Sequence, residues 1–381
     1  VAAAGPASMW RWATPAAQDV LATRNLGSIL RHYRLQNSLT QTELGQQLGY
    51  EKTYISLLET GRRTIDDVNA LRQIAGTLRL PPHTLGVTDA GDTDVAAMLQ
   101  FGHSTIHLAD ISRQSGLASA AIDELWPLVA RLEARVEDGH SEREVLELLA
   151  KARTSLGVAL GHILPEERMA TAARWTGKAV HLTKHLDDPS THTTALRMHG
   201  NELRKAGLLN AAVDRLQHAV EIATTAEQRA AAIPLLARAA GECGSGELFD
   251  QAFRDAQALL DKGVAHTSLF NPYSLHEIRL RGLVATGRVQ QAIKLLDGSP
   301  APGVRVTPQW AVISHVTAGR VLLLAGDRTS SAERFCRAIE EASGHRLPHQ
   351  LQRVLRDAAG LPDVRDKAAG ALALLREQMA V

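Results

Sequence analysis

TQTELGQQLGYEKTYISLLETG, residues 40–61, is the stretch whose reading decides the fold. Thr40 is a good helix N-cap, and Glu43 three residues later completes a capping box. Leu44 and Leu48 lie one turn apart and mark the buried face of a short helix. Gly49 ends that helix, because it adopts the left-handed conformation without a Cβ penalty. A second helix starts at about Lys52, with Ile55 and Leu58 on its inner face. Lys52, Thr53, Tyr54, Ser56 and Leu57 are left on its other faces. Gly61 stops it, and Arg62 and Arg63 follow at once. The pattern is two short helices joined by a tight turn, with the second free to enter a DNA groove.

Several of these residues stand in fixed register. Leu39-Thr40-Gln41, Glu43-Leu44, Leu48-Gly49 and Ile55-Ser56-x-x-Glu59-x-Gly61 together make the stretch from about Leu26 to Val87 resemble the XRE family, the lambda-repressor-like helix-turn-helix proteins. The resemblance implies a five-helix domain whose third helix lies in the major groove. One residue departs from the pattern. Glu51 precedes the recognition helix, where the family usually has a small hydroxyl residue. An acid suits a helix N-terminus but would sit near phosphates.

The resemblance also assigns roles. Lys52 could donate to guanine O6 and N7, and Thr53 or Leu57 could touch a thymine methyl. Tyr54 could pack on the sugar-phosphate, and Ser56 belongs to the same DNA-facing set. Gln41, Thr60, Arg62 and Arg63 are candidates for phosphate contacts, which fix register without reading sequence. Arg34 and Glu59 occupy positions that form a salt bridge in relatives. The plainer role of that pair is structural bracing, and the plainer reading of the contact candidates is a solvated helix face.

Length and composition frame the rest. A chain of 381 residues suggests two or more domains. Hydrophobic content of 45% suffices for packed cores, and Ala and Leu dominate over aromatics at 4%, which favours an all-α protein. No apolar run reaches the length of a membrane span, and the Ala-rich start lacks the order of a signal peptide. Two cysteines make no disulfide framework, so a cytoplasmic protein is expected. The formal charge is only +1, yet between Arg24 and Thr64 the basic residues Arg24, Arg31, Arg34, Lys52, Arg62 and Arg63 outnumber Glu43, Glu51 and Glu59. A local basic face of this kind suits operator binding by a dimer.

Residues 1–23 read as an N-terminal arm, with a short helix from Pro15 to Thr23. Trp10 and Trp12 within it either pack on a neighbouring helix or serve a dimer or DNA contact. Residues 24–88 read as the DNA-binding domain. Its first helix runs from about Leu26 to Asn37. Its fourth starts after Thr64, which with Asp67 forms a second capping-box pattern, and its short fifth helix covers Leu80 to Gly86. Residues 89–104, opening on DAGDTD, read as a linker, and 105–381 as a helical repeat domain.

Within that domain the segment from Arg197 to Ala219 resembles one tetratricopeptide repeat (TPR). Gly200 and Leu203 fit its first helix, Gly207 the turn, and Ala212, Leu216 and Ala219 the second helix. The packing alanine recurs at Ala252, Ala292 and Ala332, each step 40 residues. Gly287 and Leu296 repeat the turn and packing positions. Gly116, Ala121 and Leu125 fit an upstream unit, and Ala172 with Ala179 a degenerate one. Stacked hairpins of this kind form a TPR-like α-solenoid with a concave face. With Leu164-Pro165-Glu166-Glu167-Arg168 and the block from Arg197 to Gly207, the whole chain resembles streptomycete-type regulators that combine a tryptophan-rich start, an XRE domain and a TPR array.

Arg197, Asn201 and Arg204 follow i, i+4, i+7 and share one helix face, with Lys205 beside them. In TPR proteins that face lines the groove, where Arg and Asn can hold a carboxylate or a peptide amide. Glu277 and Arg281 stand at equivalent positions 80 residues later. The alternative is a set of salt bridges within the array. His181/His185 and His345/His349 have metal-compatible spacing, but no third ligand accompanies either pair, so no metal is expected. Cys243 and Cys336 read as small core residues. No Walker loop, GxSxG elbow or Rossmann fingerprint is present, so neither an enzyme nor a cofactor is expected.

The sequence therefore points to a DNA-binding transcription regulator. The expected partners are an operator in double-stranded DNA, a second copy of the chain in a homodimer held mainly by the solenoid, and a peptide or small-molecule signal or partner in the TPR groove, with no membrane. The competing reading is a TPR scaffold whose helix-turn-helix no longer binds DNA.

Overall fold

The computed structural model describes residues 12–80, 82–87, 93–298 and 306–379, and these contain helices and no β-strand. The chain divides into two compact units. The first comprises the residues up to Ala109 together with Ser119–Ala152. The second comprises Asp110–Ala118 and Arg153–Val381.

The first unit begins with α1 (Pro15–Ala22), α2 (Leu26–Gln36), α3 (Gln41–Leu48), α4 (Lys52–Glu59) and α5 (Val68–Leu78), then a 3-10 turn over Pro82–Leu85. Each start is built locally. Asn25 caps α2, the reciprocal Thr40–Glu43 capping box opens α3, and Asp67 caps α5 by accepting from the Ala70 amide. The fifth helix thus starts at Val68. Asp67 itself supplies the cap, so the Thr64–Asp67 pair does not act as a capping box, and Thr64 to Asp66 stay outside the helix. Ile29, Leu30, Leu44, Ile55, Leu58, Ile74 and Leu78 form the core and are almost completely buried.

Trp10 and residues 1–8 lie outside the described residues. Trp12 is buried and donates from Nε1 to the Leu78 carbonyl at 2.9 Å, with its ring stacked on Tyr33. Residues from Trp12 onward therefore complete the domain and do not hang from it as an arm. A helix also occupies much of the segment read as a linker: α6 runs over Thr93–Gln114. Its fellows α7 (Ala118–Glu137) and α8 (Arg143–Ile163) follow.

The second unit is a TPR-like stack of helical hairpins. After a 3-10 turn at Glu166–Arg168 come α9 (Met169–Thr183), α10 (Pro189–Lys205), α11 (Leu209–Glu221), α12 (Ala226–Glu242), α13 (Gly246–Asp261), α14 (Pro272–Ala285), α15 (Val289–Leu295), α16 (Pro308–Ala325), α17 (Arg328–Gly344), α18 (Pro348–Asp357) and α19 (Pro362–Met379). Consecutive helices pack together, and α10, α12, α14, α16 and α18 also pack on one another as an inner layer. Gly207, Gly244, Gly287 and Gly326 turn α10, α12, α14 and α16 into their outer partners with positive φ. Ala212, Ala252 and Ala292 are buried at the hairpin contacts. The 40-residue register slips at the third step, from Ala292 to Ala332. Ser331, not Ala332, is the buried residue there, and its hydroxyl is satisfied by the Gly319 carbonyl at 2.7 Å. The stack also closes on itself. Glu166 and Glu167 accept from Arg356, Gln352 and Arg376 near the far end of the chain.

Candidate nucleic-acid interface and solenoid cavity

The α3–α4 pair is held by backbone proximity that only glycine permits. A Cβ on Gly45 would lie 2.4 Å from the Tyr50 carbonyl oxygen, so the turn can fold down against α3. Gly49 takes φ 77° at the end of α3. Behind α4, Ile55 and Leu58 are sealed in the core. At its end, Glu59 accepts from Arg34 Nε at 2.6 Å, Arg34 Nη2 at 2.9 Å and Gln41 Nε2 at 3.0 Å. The salt bridge expected from the resemblance is therefore present, and it ties α2, α3 and α4 together. Burial works to raise the Glu59 carboxyl, but the hydrogen bonds from Arg34 and Gln41 outweigh it and hold the group below its ordinary range.

The remaining faces of α4 carry the sequence-derived candidates. Lys52 and Thr53 are exposed, as are Thr60, Arg62 and Arg63; Tyr54, Ser56 and Leu57 are half-buried. Tyr54 stacks on Tyr50 at 4.9 Å and carries the Arg63 guanidinium over its ring at 5.0 Å, which aims Arg63 beside the helix. Sequence reasoning missed this pairing, because Tyr50 was not among the candidates. Glu51 makes no side-chain cap bond, so it leaves the Lys52 and Thr53 amides uncapped, while the Tyr54 amide donates to the Glu51 carbonyl at 3.0 Å. Gln41 commits one amide N–H to Glu59 and keeps the other. Thr60 spends its hydroxyl proton on the Ser56 carbonyl at 2.8 Å, which leaves it nothing to donate to a phosphate.

In the second unit, the inner helices enclose a cavity of about 230 Å³. Arg197, Asn201, Arg204 and Arg281 all line it, so four of the five groove candidates meet there. Glu277 does not. It is buried, its Oε1 accepts from Ser314 at 3.1 Å, and burial pushes its carboxyl up to about 7. The equivalence drawn from an 80-residue offset fails for Glu277 because it faces α16 and not the open centre. Residues outside that candidate set complete the wall, among them Arg238, Arg353, Lys205 and Trp310. Arg238 and Arg353 lie on α12 and α18, in segments that match no repeat motif. Their signal was a recurrent arginine on every second helix. A second cavity of about 550 Å³ shares Arg204, Lys205, Arg281, His349 and Arg353 with the first.

Cys243 is exposed at the end of α12, where the chain leaves the helix for Gly244, and so is not a core residue. Cys336 is half-buried. His181 and His185 face each other at 5.7 Å, and the described residues contain no group of three side chains able to hold a metal. No described helix is long and apolar enough to cross a membrane.

Residues 25–85 match the helix-turn-helix domain family. The match runs from the cap of α2 to the 3-10 turn, so the helix-turn-helix domain contains every candidate DNA contact described above. No curated protein matches the chain. Among solved structures, the chain is similar to the nearly identical TPR-like repeats of a putative kinesin light chain from Podosopora anserina (18% identity, 52% of this chain and 93% of that chain covered, TM-score 0.39). It is also similar to BtubC from P. vanneervenii (15%, 58% and 91%, 0.41). A third is PlcR of Bacillus thuringiensis, solved with the peptide PapR7 and DNA (13%, 94% and 97%, 0.28). Superpositions at these scores are too loose to transfer a site.

Proposed function

We propose that the chain is a sequence-specific DNA-binding transcription regulator and not an enzyme. Its helix-turn-helix domain reads the major groove through α4, and its solenoid receives a signal. The observation that carries this reading is the state of the cations around α4. Lys52, Arg62 and Arg63 are exposed, and none has a carboxylate within 4 Å among the described residues. The opposite side of the same helix is locked by Ile55, Leu58 and the Arg34–Glu59 bridge. A rigid helix that presents free positive charge suits a phosphate backbone, and the exposure of Lys52 and Thr53 supports them as candidates for base edges.

A homodimer is part of the proposal, because one recognition helix buries too little surface to be selective. Phe101 and Leu108, seven residues apart on α6, are both more than half exposed and support a self-association surface. The scaffold alternative, with a helix-turn-helix that no longer binds DNA, has less support, since no carboxylate among the described residues pairs with these cations. Selection of binding sites from a random duplex pool, followed by titration at several salt concentrations, tests the reading. The expected result is an enriched, pseudo-palindromic sequence and a negative log–log salt slope. Equal affinity for enriched and random duplexes would remove the regulator reading.

A further inference from the structure

The cavity inside the second unit has an unusual charge balance. Seven lysine and arginine side chains line it, and its lining includes no aspartate or glutamate. Three carboxylates stand behind the wall and neutralise part of it. Glu242 accepts from Arg204 at 2.8 Å and from Arg281 at 2.6 Å. Glu202 pairs with Lys205 at 2.8 Å, and Asp110 with Arg113 at 3.4 Å. Arg197, Arg238 and Arg353 have no carboxylate within 4 Å among the described residues. Their contacts are weak or neutral. Arg238 lies over the Trp310 ring at 5.3 Å, Arg353 donates to Gln350 at 2.9 Å, and Arg197 meets the Met198 sulfur at 3.9 Å.

Carboxylates reach these three arginines only from beyond 4 Å, Asp110 for Arg197, Glu242 for Arg238, and Asp357 and Glu242 for Arg353; keeping cations away from water with so little counter-charge is costly. Burial brings the Arg197 guanidinium down to about 10 and that of Arg353 to about 9. Buried guanidinium nitrogens are also left over: Arg204 Nε, Arg238 Nε and Arg281 Nη1 have no hydrogen-bond partner among the described residues. These are donors waiting for an acceptor, and a native fold rarely keeps several in one place without a use. The rest of the wall mixes neutral polar side chains, among them His162, Asn201, Gln309 and His345, with an apolar portion at Ile313, Leu269 and Leu347.

Size and charge select the ligand class. About 230 Å³ suits a compact molecule, and the adjoining cavity of about 550 Å³, lined also by Glu166, Glu242 and Asp357, is less hospitable to an anion. One carboxylate would leave two of the three weakly compensated cations unmatched, whereas a phosphate group carries close to two negative charges and its oxygens suit the arginine fork. We propose that the solenoid cavity binds a small organic phosphate or pyrophosphate, its anionic group held by Arg197, Arg238 and Arg353 and its apolar part set against Ile313 and Leu347. The assignment rests on the solenoid being the signal-receiving part of the regulator.

The test uses the full chain and sodium pyrophosphate as probe. Isothermal titration and thermal melts are run at constant ionic strength, with sodium acetate and hexaglutamate as comparators. Saturable binding of pyrophosphate is expected, with a rise in melting temperature that acetate does not give. Arg238→Gln and Arg353→Gln should each weaken binding at least tenfold. Each should also raise the melting temperature of the ligand-free protein, because a weakly compensated buried charge is removed. That second readout separates a binding residue from a structural brace. No saturable pyrophosphate binding, tighter binding of hexaglutamate, or a fall in ligand-free melting temperature on both substitutions would each overturn the proposal. DNA affinity measured in the same samples separates the two readings. Pyrophosphate binding with unchanged DNA affinity upholds the site and removes its sensing role.

Discussion

Arg34→Ala is expected to destabilise the helix-turn-helix unit by about 2–3 kcal/mol. The side chains of Arg34 and Glu59 are 16% and 5% exposed, so the pair is far drier than an ordinary surface bridge. Arg34 gives Glu59 two hydrogen bonds, at 2.6 and 2.9 Å, and its loss leaves a buried carboxylate with only Gln41. A charged hydrogen-bonded pair contributes roughly 1.5–3 kcal/mol, and stranding one partner adds a desolvation cost. Partial exposure of Arg34 moderates that cost. At about 3 °C per kcal/mol, the melting temperature should fall by roughly 6–9 °C. A double-mutant cycle with Glu59→Ala, read by thermal melts of the full chain, isolates the coupling. The pH dependence follows from the depressed Glu59 carboxyl. Its stabilising contribution is present above the ordinary carboxylate range and is lost as pH falls through the lowered folded value. The penalty of Arg34→Ala should therefore shrink below about pH 4. A coupling under about 0.5 kcal/mol, or an equal penalty at pH 3 and pH 7, would refute the view that this bridge locks α4.

Lys52→Ala is expected to weaken operator binding by about 1–3 kcal/mol and relax preference at one base position, while Arg62→Ala weakens all sequences alike and flattens the salt slope. Affinity titrations on operator and random duplex distinguish them, and equal losses on both duplexes for Lys52→Ala would withdraw the base contact. Gly45→Ala should cost roughly 1–3 kcal/mol, because its Cβ meets a backbone oxygen that cannot step aside; an unchanged melt would contradict the close approach. Burial, followed by the Arg215 charge, holds the His199 imidazole down to about 4, so the second unit should lose stability as pH falls from 6.5 toward 4. His199→Gln should flatten that part of the melting-temperature profile. Leu108→Glu should shift the full chain toward monomer in light scattering if its side of α6 is the association surface.

The helix-turn-helix was legible because its signals are local. The Thr40–Glu43 box, Gly49 and the Ile55–Leu58 spacing each act within one helix or one turn, and the folded domain uses all of them. The start of α5 was misplaced because Thr64 and Asp67 both resemble caps, and the choice between them depends on where the helix must sit on its neighbours. For Trp12 the sequence offered packing on a neighbouring helix, which the stack on Tyr33 bears out, but not its hydrogen-bond partner. Its partner is the Leu78 carbonyl, 66 residues away, and no pattern announces a hydrogen bond to a helix end.

For the second unit, the sequence by itself determined that hairpins stack. Gly207 and Ala212 set the turn and the helix contact within a single repeat, and Gly287 with Ala252 and Ala292 renews them. It also placed Arg197, Asn201 and Arg204 on one helix face, since that follows from 3.6 residues per turn. Only the tertiary structure decided what that face surrounds. The rotation between successive hairpins sets whether the inner helices form an open groove or a closed cavity. That rotation is a sum of small packing angles at every contact. Here it brings Glu166 and Glu167 to Arg356 and Arg376, and it gathers Arg238 from α12 and Arg353 from α18 around the same space as Arg197. The same rotation turns Glu277 toward Ser314, although its offset from Arg197 is the one that led Glu277 to be counted in the site. Periodicity along the chain fixes which residues share a helix face. The charge and shape of the cavity depend on side chains more than 150 residues apart, which meet only when the array closes.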